Sequence, residues 1–258
     1  MISRIFADRR RLAVLRRIDR PAAVVIAILQ ALAAAAGWFA SPVWLAVAIA
    51  GQLALGGLAA VYVIGPARSD LGLARYAIPS VAGIAATLVG RLIPGGLSLL
   101  LVPVLAVLLW SITYLELRIE RGTGGRTIHN LLLTTIVFAA AWGLIGLFGT
   151  QTWPTPVILV VIFAVPVALR SAEARGTMGV AAVGQSLLHL LVVGQVGAAV
   201  LLLHISLSAM AVIMAFAFYI WAGAVDELRR GASGRNVAAE FGALTLIGLV
   251  AGLLLHRP

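Results

Sequence analysis

The chain has 258 residues, of which 62% are hydrophobic and 11% charged, and this balance is too apolar for an ordinary soluble domain. Its formal net charge of +10 comes from arginines without a single lysine, which excludes a Schiff base to retinal or pyridoxal phosphate. The chain contains no cysteine, so disulfides, thiolate metal sites and thiol catalysis are excluded as well.

The first feature in chain order is a basic segment, residues 1–20, in which seven arginines alternate with apolar side chains. This composition predicts an amphipathic helix that lies on the cytoplasmic face of the membrane. Because every basic cluster of the chain borders an apolar segment, we expect anionic lipid headgroups, and not nucleic acid, as partners. Residues 21–258 are predicted to form a single transmembrane helical domain.

Apolar segments long enough to cross about 30 Å of hydrocarbon recur along this domain. We place nine spans at residues 21–40, 43–64, 74–91, 95–115, 128–148, 155–170, 178–203, 205–223 and 236–255. The predicted fold class is therefore an all-α, polytopic membrane helix bundle.

The arginines are distributed unevenly between the two ends of these spans. Seventeen fall in the N-terminal segment or in alternate connections, and only Arg91 and Arg257 fall on the opposite side. The positive-inside rule then predicts a multi-pass protein of the inner cell membrane, with a cytoplasmic N-terminus and an external C-terminus.

A short pattern, Arg-x-x-x-Gly, recurs in four of the predicted inner connections. It begins at Arg68, Arg121, Arg175 and Arg230, so that successive arginines are 53, 54 and 55 residues apart. This period predicts four tandem helical hairpins followed by a lone ninth span. Two explanations remain open, because a duplication produces this period and so does the length of two spans with two short turns.

Ionisable and amide side chains near the bilayer centre are few, and such groups are candidates for a functional site. His189 lies deepest, and amides or hydroxyls are predicted at comparable depth on other spans. The candidate substrate-binding residues are Gln30, Gln52, Gln185, Ser186, His189 and Gln195. The alternative is that these groups only form hydrogen bonds between neighbouring helices. No second histidine or carboxylate is predicted at the depth of His189, so we expect neither a metal nor a cofactor.

Charged residues gather at the predicted inner ends of the spans. Glu116 and Glu120 share one helical face, and His129 follows a short connection. An enzyme acting on a lipid would need such a rim, although these acids also suit simple pairing with nearby arginines. The arginines expected to contact lipid headgroups are Arg121, Arg126, Arg175, Arg230 and Arg235.

Small residues indicate where helices approach one another. Gly143, Gly146 and Gly149 recur every third residue on the fifth span, and Gly248 and Gly252 are four apart on the ninth. The ninth span is predicted to present its glycine pair to another membrane subunit or to a second copy of the chain.

Three functions are compatible with these features. The leading hypothesis is a small transporter or permease component with a polar site at the bilayer midplane. The alternative is a non-catalytic scaffold subunit of a larger membrane complex. The third is an intramembrane enzyme that acts on a lipid at the cytoplasmic interface.

Overall fold

The computed structural model describes the backbone of residues 2–64, 72–93, 95, 97–120, 125–149, 154–203 and 205–254. It describes the side chains of residues 21–63, 72–93, 95, 99–119, 125–149, 154–203, 205–206, 208–248 and 250. Within these residues all regular structure is helical. The main helices are α1 (Ile2–Phe39), α2 (Pro42–Ala59), α3 (Ile78–Gly90), α4 (Val102–Glu120), α5 (Arg126–Phe148), α6 (Thr155–Ala174), α7 (Gly179–Leu202), α8 (Leu207–Arg229) and α9 (Gly234–Leu254).

Seven segments of the described chain are long and apolar enough to cross a membrane. They are Pro21–Phe39, Pro42–Val63, Val102–Ile119, Arg126–Phe148, Thr155–Ala174, Gly179–Leu202 and Ser208–Arg229. These segments identify a helical, multi-pass membrane protein. The predicted third span is a shorter apolar helix, Ala74–Gly90, and the predicted ninth is a 21-residue helix that is not among the seven.

Several helix boundaries differ from the predicted spans. The predicted 1–20 segment continues without a break into the first span as part of α1, while its side chains lie outside the described residues. Helix α3 begins only at Ile78, after a 3₁₀ turn at Ala74–Tyr76, and Pro79 lies in its first turn, where proline is favoured.

The helix that corresponds to the predicted fourth span, 95–115, begins and ends later than predicted. Gly95, in the connection after α3, has a φ of +54°, a left-handed conformation. A short helix, Leu97–Leu100, follows it, and α4 starts at Val102 with Pro103 in its first turn. Because α4 runs on to Glu120, Glu116 lies inside a helix and not at its end.

Helix packing divides the bundle into two groups of four. In the first half, α1 packs against α2, α3 and α4, and α2 packs against α3. In the second half, α5 packs against α6 and α8, and α7 packs against the same two helices. Extensive packing of α3 on α5 joins the halves, and α9 packs on α8. The first half and the second half therefore share one long seam.

Glycines permit the closest helix contacts, as predicted for α5. A Cβ atom added at Gly143 would lie 2.6 Å from Leu88 Cβ, and one at Gly146 would lie 2.5 Å from Leu92 Cδ1. Both glycines therefore face α3 and the turn that follows it.

The glycines predicted to contact another subunit have a different environment. A Cβ atom at Gly248 would lie 2.6 Å from Phe216 Cε1, so Gly248 packs on α8 of the same chain. Gly252 lies outside the residues whose side-chain surroundings are described. Association through this pair stays a prediction.

Candidate functional site

Two of the predicted midplane amides, Gln30 and Gln52, meet in the first half of the bundle. Gln52 Nε2 donates a hydrogen bond to the Gln30 carbonyl at 2.8 Å and approaches Thr87 Oγ1 at 3.4 Å. Gln30 Nε2 donates to the carbonyl of Pro79 at 3.1 Å. Both amides are fully buried, and Gly83 leaves the space that Gln52 Oε1 occupies. This amide oxygen makes no hydrogen bond among the described residues. The pair ties α1, α2 and α3 together.

His189 lies in the second half and is also buried. Its Nε2 is 3.0 Å from the carbonyl oxygen of Phe218, and its ring stacks on the Phe218 ring with centroids 4.0 Å apart. Because a carbonyl only accepts, Nε2 carries the proton of this hydrogen bond. The contact joins α7 to α8.

The other three predicted midplane residues lie elsewhere on α7. Gln185 Oε1 accepts hydrogen bonds from Thr177 Oγ1 at 3.0 Å and Arg229 Nη2 at 3.3 Å, close to the beginning of the helix. The Ser186 hydroxyl donates to a carbonyl of its own helix, and Gln195 is exposed. Among the described residues no hydrogen bond links Gln30 or Gln52 to the α7 group. The six candidates thus occupy separate positions and do not form one hydrogen-bonded patch.

A buried carboxylate, Glu116, forms the centre of a charged cluster that crosses the seam. Glu116 Oε1 is 2.7 Å from His129 Nε2, and its Oε2 accepts a hydrogen bond from Arg170 Nε at 2.7 Å. All three residues are at most 2% exposed. The contact joins α4 of the first half to α5 and α6 of the second.

A second carboxylate, Glu173, crosses the seam one turn away. Its two oxygens accept from the backbone N–H of Ala74, at 3.3 and 3.2 Å. This hydrogen bond satisfies a backbone donor at the turn that precedes α3 and fixes that turn to the end of α6. A Cβ atom at Gly72 would lie 1.8 Å from the Glu173 carboxyl carbon, so the carboxylate requires glycine there.

The third carboxylate, Asp226, is bound within the second half. Its Oδ1 accepts from Arg175 Nε at 2.7 Å and its Oδ2 from Asn130 Nδ2 at 2.9 Å. Burial lowers the pKa of the Arg175 guanidinium, while the charge of Asp226 opposes that shift. Arg229 adds a hydrogen bond to the Arg175 carbonyl at 2.8 Å. We call the end of the bundle where Glu116, Glu173 and Asp226 lie the charged end.

The arginines predicted to contact lipid headgroups differ in accessibility. Arg126 and Arg235 are exposed, and exposed Arg230 pairs with Glu227. Arg175 is buried against Asp226, so its guanidinium is directed into the bundle. Arg121 lies outside the described residues.

The opposite end of the bundle, which we call the Arg91 end, has a different character. Arg91 Nη1 donates to the carbonyl oxygens of Gly37 and Ala40, both at 2.8 Å, and so satisfies the last carbonyls of α1. From this end an apolar cavity of about 250 Å³ extends along the seam between α1, α3, α4 and α5. Its walls are formed by Trp38, Ala82, Ala85, Ala86, Val89, Gly90, Ile93, Leu101, Val104, Leu105, Leu108, Leu109, Ile112, Thr135, Ile136 and Ala139.

Sequence reasoning placed Glu116 and His129 at a charged rim but did not predict that they meet Arg170. The signal available was weak, because Glu116 and Arg170 lie at the predicted ends of their spans, where a charge can also be solvated. The apolar cavity had no sequence signal, because its walls consist of ordinary span residues.

Within the described residues, no group of three or more histidine, aspartate or glutamate side chains is arranged to hold a metal ion. Comparisons of the chain with protein-family models, with curated proteins and with solved structures found no match.

Proposed function

We propose that the chain is a membrane transporter component in which the first and second halves rock against each other. The observation that carries this proposal is the asymmetry of the seam between the halves. Buried charges join the halves at one end, and an apolar cavity that opens on the flank of α4 lies toward the other. Alternating access requires such a pair of ends, one sealed while the other admits the solute.

Among the described residues, two carboxylates contribute contacts between the halves at the charged end. The Glu116 carboxylate binds His129 and Arg170, and the Glu173 carboxylate binds the backbone of Ala74. Contacts of this kind suit a gate, because hydrogen bonds to a carboxylate can form in one packing arrangement of the two halves and be replaced by water in another. Water at the opened end would solvate the separated groups.

The space at the Arg91 end lies on the same seam. Ile112, the deepest α4 residue of the cavity wall, is four residues from Glu116, or about 6 Å along the helix at 1.5 Å per residue. A solute that reached Ile112 would lie about one helical turn from Glu116 on α4. The apolar walls favour an apolar or amphipathic solute over a free ion.

The orientation that belongs to this proposal places the charged end in the cytoplasm. Nine spans, arranged as four hairpins and a ninth helix, then give a cytoplasmic N-terminus and an external C-terminus in the inner cell membrane. The arginine distribution supports this orientation. In this mechanism the solute binds in the apolar cavity and not at the midplane site predicted around His189.

The rocking motion is tested by spin-label distance measurements on the full-length chain, which is naturally free of cysteine. Cysteines at exposed Leu73 and Met178 report the separation of the halves at the charged end, and those at exposed Ser41 and Ser206 report it at the Arg91 end. A transporter gives two distance populations for each pair, and Glu116→Gln lengthens the first distance while it shortens the second. A single, unchanged distance at both ends would contradict the proposal.

The orientation has its own test with single cysteines at exposed positions. A membrane-impermeant maleimide applied to intact cells should label Ser41→Cys and spare Gly125→Cys, which precedes α5. Permeabilised cells provide the control, since both positions then react. The reverse pattern in intact cells would place the charged end outside.

A second candidate, the scaffold subunit, is favoured by α9. Among the helices of the described chain, α9 packs extensively only on α8, and it exposes Leu246 and Ile247, at 61% and 64%. An apolar face of this kind suits a protein neighbour as well as lipid. Arginine substitution of both residues would then reduce the mass of the complex purified in mild detergent. An unchanged mass, with the chain still folded, would remove this candidate.

A further inference from the structure

The apolar cavity contains no free hydrogen-bonding group. Only two of its wall residues, Trp38 and Thr135, carry polar side-chain atoms. Trp38 Nε1 donates to the Ala86 carbonyl at 3.1 Å, and the Thr135 hydroxyl donates to the Leu131 carbonyl at 2.9 Å. A polar molecule inside the cavity would lose its hydrogen bonds to water without replacement. The cavity therefore suits a hydrocarbon.

Its shape and position suit a single chain that enters from the bilayer. From Leu101 to Ile112 the α4 wall runs for about 16 Å at 1.5 Å per residue. Val104 and Leu108 on the wall are each 54% exposed, so the cavity opens on the flank that faces lipid.

Arg91 is the cation nearest in sequence to this cavity. It follows the wall residue Gly90, lies two residues before the wall residue Ile93, and its Nη1 bonds the carbonyl of Gly37, which precedes the wall residue Trp38. Its Nη1 is engaged by the carbonyls of Gly37 and Ala40, whereas its Nε and Nη2 make no hydrogen bond within the described part of the chain. Arg91 is half-buried, and a guanidinium edge with two donors matches the oxygens of a phosphate.

We infer that the apolar cavity binds one acyl chain of a phospholipid whose phosphate is held by Arg91. The acyl chain packs against the apolar side chains of the cavity wall, which lack a neighbouring side chain there. The headgroup remains at the membrane interface. This site goes beyond transport, because a protein that moves no solute would still bind the lipid. The occupant proposed is a bilayer phospholipid and not a segment of another protein.

The first test counts bound lipid by native mass spectrometry of the full-length protein in detergent supplemented with dioleoyl phosphatidylglycerol. The expected result is one tightly retained lipid per chain. Ala139→Leu fills the cavity from α5 and should lower lipid retention about tenfold or more, because several methylene groups lose their place. Ala54→Leu adds the same side chain at an exposed position of α2 and should leave retention unchanged.

A second variant distinguishes loss of the binding site from a folding defect caused by Ala139→Leu. Val104→Trp closes the mouth from the exposed side of α4, where a larger side chain has room. Both closing variants should keep the thermal unfolding midpoint of the unmodified chain while losing the lipid. If both are folded and both retain the lipid as the unmodified chain does, the cavity is not the binding site.

The role of Arg91 is read from headgroup preference. The unmodified chain should retain dioleoyl phosphatidylglycerol several-fold better than dioleoylglycerol, which has the same chains without phosphate. Arg91→Gln should bring the two lipids to equal retention, a change that loss of the bonds to Gly37 and Ala40 alone would not produce. An undiminished preference in this variant would overturn the phosphate contact.

These results separate the lipid site from the proposed transport. Loss of lipid binding in the cavity-filling variants with two spin-label distance populations supports both conclusions. Retention of the lipid with a single fixed distance supports neither the site in the cavity nor the rocking motion. Loss of lipid binding with a single fixed distance supports the lipid site and contradicts transport.

Discussion

The charged end and the middle of the bundle use their polar groups in opposite ways. At the charged end, Glu116 and Glu173 reach across the seam from one half to the other. In the middle, Gln30 and Gln52 bond to each other and to α3 inside the first half, and His189 bonds to α8 inside the second. Two of the three carboxylates at the charged end therefore link the halves, while Asp226, the amides and the imidazole bond within one half.

The difference follows from what each group requires when it is buried. A buried carboxylate needs charged or multiple donors, and a single helix seldom supplies them, so it recruits partners from other helices. The amide N–H of Gln30 or Gln52 and the imidazole N–H of His189 each find a backbone carbonyl on an adjacent helix. These midplane side chains thus link helices within each half, and Glu116 and Glu173 add to the α3–α5 packing that joins the halves.

The largest expected effect is at the contact that crosses the seam. Glu116→Gln removes the buried negative charge that binds both the Arg170 guanidinium and His129, and we expect a loss of about 3–5 kcal/mol in the free energy of unfolding. An SDS titration of the purified protein followed by circular dichroism measures this loss. The double variant Glu116→Gln/Arg170→Met should recover part of it, because both charges are then removed.

A small loss in the single variant, below about 1 kcal/mol, would mean that Glu116 and Arg170 are solvated and that the charged end is already open.

A smaller effect is expected inside the second half. His189→Leu removes one hydrogen bond to the Phe218 carbonyl but keeps an apolar side chain of similar length, so the loss should be about 0.6–2 kcal/mol. The same SDS titration measures it, and the two spin-label distances should not change.

A shift of either distance population in His189→Leu would instead assign the imidazole to the seam. The distinction between groups inside a half and groups between halves would then fail for this residue.

The smallest effect is expected at the surface of the charged end. Glu227 pairs with Arg230 one turn along α8, and the arginine side chain is 59% exposed. Glu227→Gln should change the free energy of unfolding by no more than about 0.5 kcal/mol, since water screens an exposed pair. It serves as the charge-matched control for Glu116→Gln, and equal losses in the two variants would show that burial is not the deciding factor.

Much of the fold could be predicted from the sequence, because span length and apolar composition are local properties. Helices were expected in all nine places where main helices are found, although two of these helices are not among the seven long apolar segments. The errors lie at the ends of the helices. The connection that contains Gly95 delays the start of α4 to Val102, and α4 runs on to Glu120, so that Glu116 lies inside it. The spacing of apolar residues does not show where these helix ends fall.

The candidate site was less predictable than the fold. Depth alone grouped Gln30 with His189, yet depth does not give the direction in which a side chain points or the helix that it meets. Gln195, expected at the same site, is exposed. The cavity beside Trp38 escaped prediction because a gap between helices depends on how α4 and α5 pack.

The sequence by itself determined that the chain is helical and crosses a membrane several times, since the hydrocarbon thickness sets the length of each apolar segment. It also determined where the charges lie along the chain. Only the tertiary structure decided which charges meet, because Glu116 and Arg170 are 54 residues apart and are brought together by helix packing. The same packing left the seam closed at the charged end and widened it at the Arg91 end, where apolar side chains of α4 and α5 do not fill the space between them.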